Sequence, residues 1–127
     1  MAAKTPYQNY QQNAVFSAAP EELTTMLYNR LLRDLKQALS AVQKKDIQAT
    51  HDSLMHAQDI IAYLNSTLNT GYEIGRNFEL IYEYMNRRLI EANINKNPEI
   101  IQEITGYVEE IRDAWVTAVK QLKKNAG

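Results

Sequence analysis

The residues that most invite a chemical reading are two histidines, His51 and His56. In helical bundles, Glu-x-x-His pairs on facing helices hold dinuclear metal centres. Here the positions three before each histidine are Gln48 and Ser53, neither of them an acid. The two histidines are five apart, which on a helix turns their side chains about 140° away from each other. The spacing therefore predicts two polar side chains at the surface or at the boundary of a core, and no metal. Nucleophilic chemistry finds no better support. The chain has no cysteine and no Gly-x-Ser-x-Gly turn, and Ser17, Ser40, Ser53 and Ser66 have no evident base and orienting partner. Gly71 and Gly75 read as a helix-boundary pair, not as a phosphate loop. No catalytic set and no cofactor is predicted, and a bundle enzyme is the weakest of the functional readings.

What remains is a segment suited to contact, Tyr82-Glu83-Tyr84-Met85-Asn86-Arg87-Arg88-Leu89-Ile90-Glu91-Ala92-Asn93. On a helix, Phe78, Tyr82, Met85, Leu89 and Ala92 fall on one stripe, spaced by four and three, which is enough to join a core. Ile81, Tyr84 and Arg88 fall on a second stripe beside it and predict a surface that something else touches. Arg87 has Glu83 four before it and Glu91 four after it, the spacing of local ion pairs. Arg88 has Glu91 three after it and Tyr84 four before it, so ion pairing and partner contact stay open for it. Trp115 belongs to a core stripe, whereas Tyr63 and Tyr107 fall off the stripes.

These side chains must be positioned by helices. The chain has 127 residues with 14 basic and 15 acidic side chains, enough for one domain with one core and too balanced for a nucleic-acid partner. No apolar run approaches the roughly 20 residues of a membrane span. Met1 to Asn13 lacks an apolar signal core, so the expectation is a cytoplasmic protein without membrane insertion. Sustained strand-like alternation is absent, and Pro20, Gly71 and Pro98 separate long helical periods.

The first helix is predicted to start at Pro20, followed by Glu21 and Glu22 in the positive first turn. Its apolar arc, from Leu23 and Leu27 through Leu31 and Leu35 to Val42, is broader than one packing stripe. That helix either sits between two neighbours or borders a groove. The second starts after Asp46, buries a stripe from Ile47 to Leu68 and stops at Gly71. The third spans about Glu73 to Ile94. The fourth is announced by Asn97-Pro98-Glu99 and carries a stripe from Ile101 to Leu122, with Gly106 inside it. Short loops make neighbours antiparallel. The prediction is an all-α, up-down four-helix bundle over residues 18–125, preceded by an arm or short helix over 1–17.

The arm Tyr7-Gln8-Asn9-Tyr10-Gln11-Gln12-Asn13, the start Ala18-Ala19-Pro20-Glu21-Glu22-Leu23, the stretches Lys45-Asp46 and Ala57-Gln58-Asp59-Ile60-Ile61, the Tyr82-to-Asn93 motif and Arg112-Asp113-Ala114-Trp115 together resemble the flagellin-specific secretion chaperones, the FliS type. The match runs nearly the whole chain in order. One departure is Ala19, where the family commonly has serine or threonine. The resemblance implies a cytosolic antiparallel bundle without nucleotide or other cofactor. It would bind the C-terminal region of flagellin, keep it from polymerising and present it to the flagellar type III export gate, with other flagellar regulators as further partners. It also implies an N-terminal arm that covers an apolar groove until flagellin displaces it. An unstructured amphipathic client can fold as helices against such a groove. On this reading Tyr7, Tyr10, Leu27, Leu31, Ile81, Tyr84 and Arg88 bind flagellin or cover its groove, in a monomer or weak dimer. The rival reading is a bundle that self-associates through its first and third helices without any client.

Overall fold

The computed structural model describes residues 20–126. Among them lie four helices, α1 (Pro20–Gln43), α2 (Ile47–Ser66), α3 (Glu73–Asn95) and α4 (Pro98–Ala126). Each packs on its sequence neighbours, and α4 closes back onto α1. This is the predicted antiparallel four-helix bundle. The arm over 1–17, with Tyr7 and Tyr10, and the cap position Ala19 lie outside the described residues.

Local chemistry sets the ends. Asp46 caps α2: its Oδ1 accepts the Ala49 N–H at 3.0 Å, satisfying a backbone donor that has no partner within the helix. At the other ends of α1 and α3 the chain reverses through left-handed residues, Lys45 (φ 60°) and Lys96 (φ 50°). The next amides, of Asp46 and Asn97, reach back to Ala41 O (2.9 Å) and Ala92 O (3.0 Å). That six-residue closure tightens each turn, although lysine stands where glycine would fit without strain. The prediction for α2's end needs correction. It stops at Ser66, with Thr67 as its C-cap, and Gly71 sits inside the loop instead, its N–H bonded to Asn69 Oδ1 at 2.9 Å. Gly75 has the stronger need to be glycine: a Cβ there would lie 2.0 Å from Asn69 O. The loop therefore folds directly onto the first turn of α3.

The core takes Leu31 and Leu35 from α1, Leu54 and Ile61 from α2, Met85 and Leu89 from α3, and Ile101 and Ile104 from α4, all within 1% of full burial. Each such side chain contributes about 1.5–3 kcal/mol relative to exposure. The broad arc of α1 is explained by its place between α2 and α4. Leu27 and Leu31 are 1% and 0% exposed, so they hold the core together and do not offer groove surface as expected. Ile47, expected in the core, is 67% exposed, because it is the first residue of α2. Two polar contacts bridge the helices at the core. Tyr28 and Tyr82 meet hydroxyl to hydroxyl at 2.6 Å. Asp34, 2% exposed, joins α1 to α2 through His56 Nδ1 at 2.5 Å and faces Arg30 Nε at 3.3 Å.

Candidate protein-interaction groove

Of the four pairs of neighbouring helices, α3 and α4 make the least extensive contact. The gap between them is an open cleft of about 500 Å³. From α3 come Leu80, Ile81 and Tyr84, and Met85 lies at the floor; α4 supplies Tyr107, Glu110 and Ile111. Leu80, Ile81 and Tyr107 are 65%, 40% and 42% exposed. Large apolar side chains left together in this way mark an interaction surface more often than scattered single ones do. The cause lies in the sequence period. Tyr82, Met85 and Leu89 take α3's core-facing side, so Ile81 and Tyr84 are turned onto the flank toward α4.

One wall of the cleft is polar and closed on itself. Tyr84 Oη donates to Glu103 Oε2 (2.9 Å), and Arg88 Nε donates to Glu103 Oε1 (3.1 Å). Arg88 also donates to Glu91 (2.7 Å). The bond to Glu103 raises the Tyr84 phenol above its usual range, with desolvation adding to it, and the same carboxylate holds the Arg88 charge still more firmly. Tyr84 is therefore a neutral donor here, and its ring packs edge-on against Tyr107 with centroids 6.2 Å apart. Arg87, expected to form ion pairs with Glu83 and Glu91, lies instead over the Tyr84 ring at 5.9 Å, a cation–π distance.

Of the anticipated site residues, Ile81 and Tyr84 meet in this cleft, and Arg88 braces its wall through Glu103. Leu27 and Leu31 are elsewhere, in the core. Leu80, Tyr107, Ile111 and Glu103 were missed. Tyr107 had a visible signal, an aromatic off the core stripe; the others depend on which flanks of α3 and α4 meet.

Among the described residues no three His, Asp or Glu side chains stand close enough to hold a metal ion. His56 points to Asp34 on α1, whereas His51 Nδ1 accepts from Asn93 Nδ2 on α3 at 2.9 Å. A larger cleft of about 580 Å³ lies between α1 and α4, but Arg33, Lys36, Glu109 and Asp113 make it a mixed-charge, solvated surface. Trp115 is half-buried at the edge of the core and not in its centre; its Nε1–H donates to Thr25 Oγ1 at 2.9 Å. No helix of the described residues is long and apolar enough to cross a membrane.

Comparison with known proteins agrees with this architecture. A flagellar secretion chaperone FliS of Bacillus subtilis is 42% identical over 98% of this chain and 94% of its own length. A flagellar secretion chaperone FliS of Salmonella typhimurium is 34% identical over 91% of this chain and 84% of its own. A solved structure described as a flagellar chaperone from bacteria superimposes with a TM-score of 0.75 over 91% of this chain and 95% of that one; at 16% identity it speaks for the fold. Residues 2–122 match the family described as flagellar protein FliS, and the chain belongs to that family, one of chaperones and not of enzymes.

Proposed function

We propose that this protein is a cytoplasmic export chaperone whose α3–α4 cleft receives the C-terminal region of flagellin. The observation that carries the proposal is the cleft itself, with Leu80, Ile81 and Tyr107 exposed between two helices that touch sparingly. A flagellin terminus without fixed structure would lay the apolar face of a helix into it, between the Tyr84–Glu103–Arg88 wall and Ile111. Ordering that segment consumes much of the contact energy, so the client wraps further surface to reach useful affinity. While bound, the segment cannot polymerise, and the loaded complex is the form handed to the flagellar export gate.

The arm has its part in the same proposal. Tyr7 and Tyr10 cover the cleft when it is empty and leave it when flagellin arrives, which shields an aggregation-prone surface. Deleting residues 1–16 should raise binding of a hydrophobic dye, and adding flagellin should reverse the rise. Unchanged dye binding and flagellin affinity would remove Tyr7 and Tyr10 from the site.

Sedimentation with and without a flagellin C-terminal peptide tests the function. The expected result is a monomer or weak dimer that becomes a one-to-one complex. A tight dimer indifferent to the peptide would replace the chaperone reading with a self-associating bundle.

A further inference from the structure

The two helices that touch least are fastened through one carboxylate. Among the described residues, the side-chain hydrogen bonds that join α3 to α4 both end on Glu103. Its Oε2 accepts from the Tyr84 hydroxyl at 2.9 Å, and its Oε1 accepts from Arg88 Nε at 3.1 Å. Arg88 is held in turn by Glu91 on its own helix at 2.7 Å. Both oxygens of Glu103 are therefore engaged, one of them by a charged donor, which fixes the orientation of the carboxylate.

Of these residues only Tyr84 lines the α3–α4 cleft; Glu103 and Arg88 stand behind it. The carboxylate that does line the cleft is Glu110. A ligand in the cleft thus meets Tyr84 and not Glu103. The Tyr84 ring lies edge-on to Tyr107 with centroids 6.2 Å apart, and the Arg87 guanidinium sits over it at 5.9 Å. Because the hydroxyl is spent on Glu103, the cleft receives the ring and not a donor. A tyrosine on a partly exposed flank has other staggered rotamers open to it. A side chain that must be fixed at the moment of binding weakens the complex, whereas one already fixed does not.

We infer that Glu103 is a positioning residue for client binding: it does not touch the client, but holds the Tyr84 ring and the spacing of α3 and α4 in the form that admits a helix. The inference rests on the proposed function, since it takes the cleft as the place where flagellin binds.

The test is isothermal titration of a flagellin C-terminal peptide against variants of the full chain, each checked for native helicity by circular dichroism. Glu103→Ala and Tyr84→Phe should each weaken binding by roughly three- to tenfold, the range set by ordering one side chain on binding. Glu103→Ala/Tyr84→Phe should be no weaker than the worse single variant, because both changes break the same link. Glu103→Gln, which keeps an acceptor for the hydroxyl, should recover most of the loss, and the loss in Glu103→Ala should persist as salt rises, because geometry is not screened. Full affinity in Glu103→Ala overturns the inference. So does full affinity in Tyr84→Phe, a change of nearly the same shape that keeps the test open if Glu103→Ala does not fold. Losses that multiply in the double variant overturn it too, since Glu103 would then act on the client by itself. Ile81→Asp separates the two claims. Full affinity there overturns the reading of the cleft and this inference with it, whereas loss there beside full affinity in Glu103→Ala overturns the inference alone.

Discussion

Tyr28 and Tyr82 place two phenols at 4% and 3% exposure, their oxygens 2.6 Å apart. Burial above all pushes both above the ordinary 10.0, since a phenolate there would lose its hydration. The unfolded chain releases these protons near the ordinary value while the folded chain holds them. Their contribution is thus fully present below pH 10 and is lost as pH rises beyond it. Urea unfolding followed from about pH 8 to about pH 11 should show this loss, and Tyr28→Phe/Tyr82→Phe should reduce it. Either single change should cost about 1–3 kcal/mol at neutral pH by stranding the other hydroxyl, with the double change milder than their sum. Asp34 makes the parallel case for charge. Asp34→Ala removes the buried end of the contacts to Arg30 and His56, whose own side chains reach partly into solvent, and should cost about 1–3 kcal/mol. Asp113→Ala, which breaks the exposed Arg112 pair, should cost no more than about 1 kcal/mol. Urea denaturation of the two variants checks the contrast. Neither the tyrosine pair nor Asp34 was evident from the sequence. Their partners lie 54 and 22 residues away, and periodicity describes one helix at a time.

At the scale of the element, periodicity is the main guide. The stripes of α1 and α3 and the Asp46 and Pro98 starts were readable because each depends on residues within a few turns. The ends were less so. Gly71 drew the end of α2 too late, since the helix closes at Thr67 without glycine, and the turns after α1 and α3 use left-handed lysines. Lys45→Gly should therefore stabilise the protein by about 1 kcal/mol, the strain of an L-residue in that conformation, measurable as a higher urea midpoint. Gly106 is the converse. It sits inside α4 with open space where a Cβ would project, nothing from the neighbouring helices coming within 4 Å, so Gly106→Ala should stabilise by about 0.5–1 kcal/mol. Gly75→Ala should destabilise, because its methyl would meet the Asn69 carbonyl at 2.0 Å. A scan in which Gly106→Ala and Gly75→Ala shift the melting temperature in the same direction would contradict this account of the two positions.

At the scale of the molecule, the groove shows what sequence alone leaves open. Helix α1 was broad enough in its apolar arc to suit a groove or a central position, and only the packing of α2 and α4 on either side decides for the core. The groove instead comes from two helices that touch sparingly, and Leu80 and Tyr107 enter it because their flanks happen to face. Ile81 and Tyr84 were identified from a stripe beside a core stripe, a pattern that survives any packing order. On the proposed function the α3–α4 cleft takes the C-terminal region of flagellin, and the far flank of α3, where Ile94 is 76% exposed, does not. Isothermal titration of flagellin against Ile81→Asp and Ile94→Asp, each checked for native helicity, tests it most directly. The unaltered protein should show a clearly negative heat-capacity change, Ile81→Asp should lose at least about tenfold in affinity, and Ile94→Asp should bind unchanged. Full affinity in Ile81→Asp with loss in Ile94→Asp would contradict it.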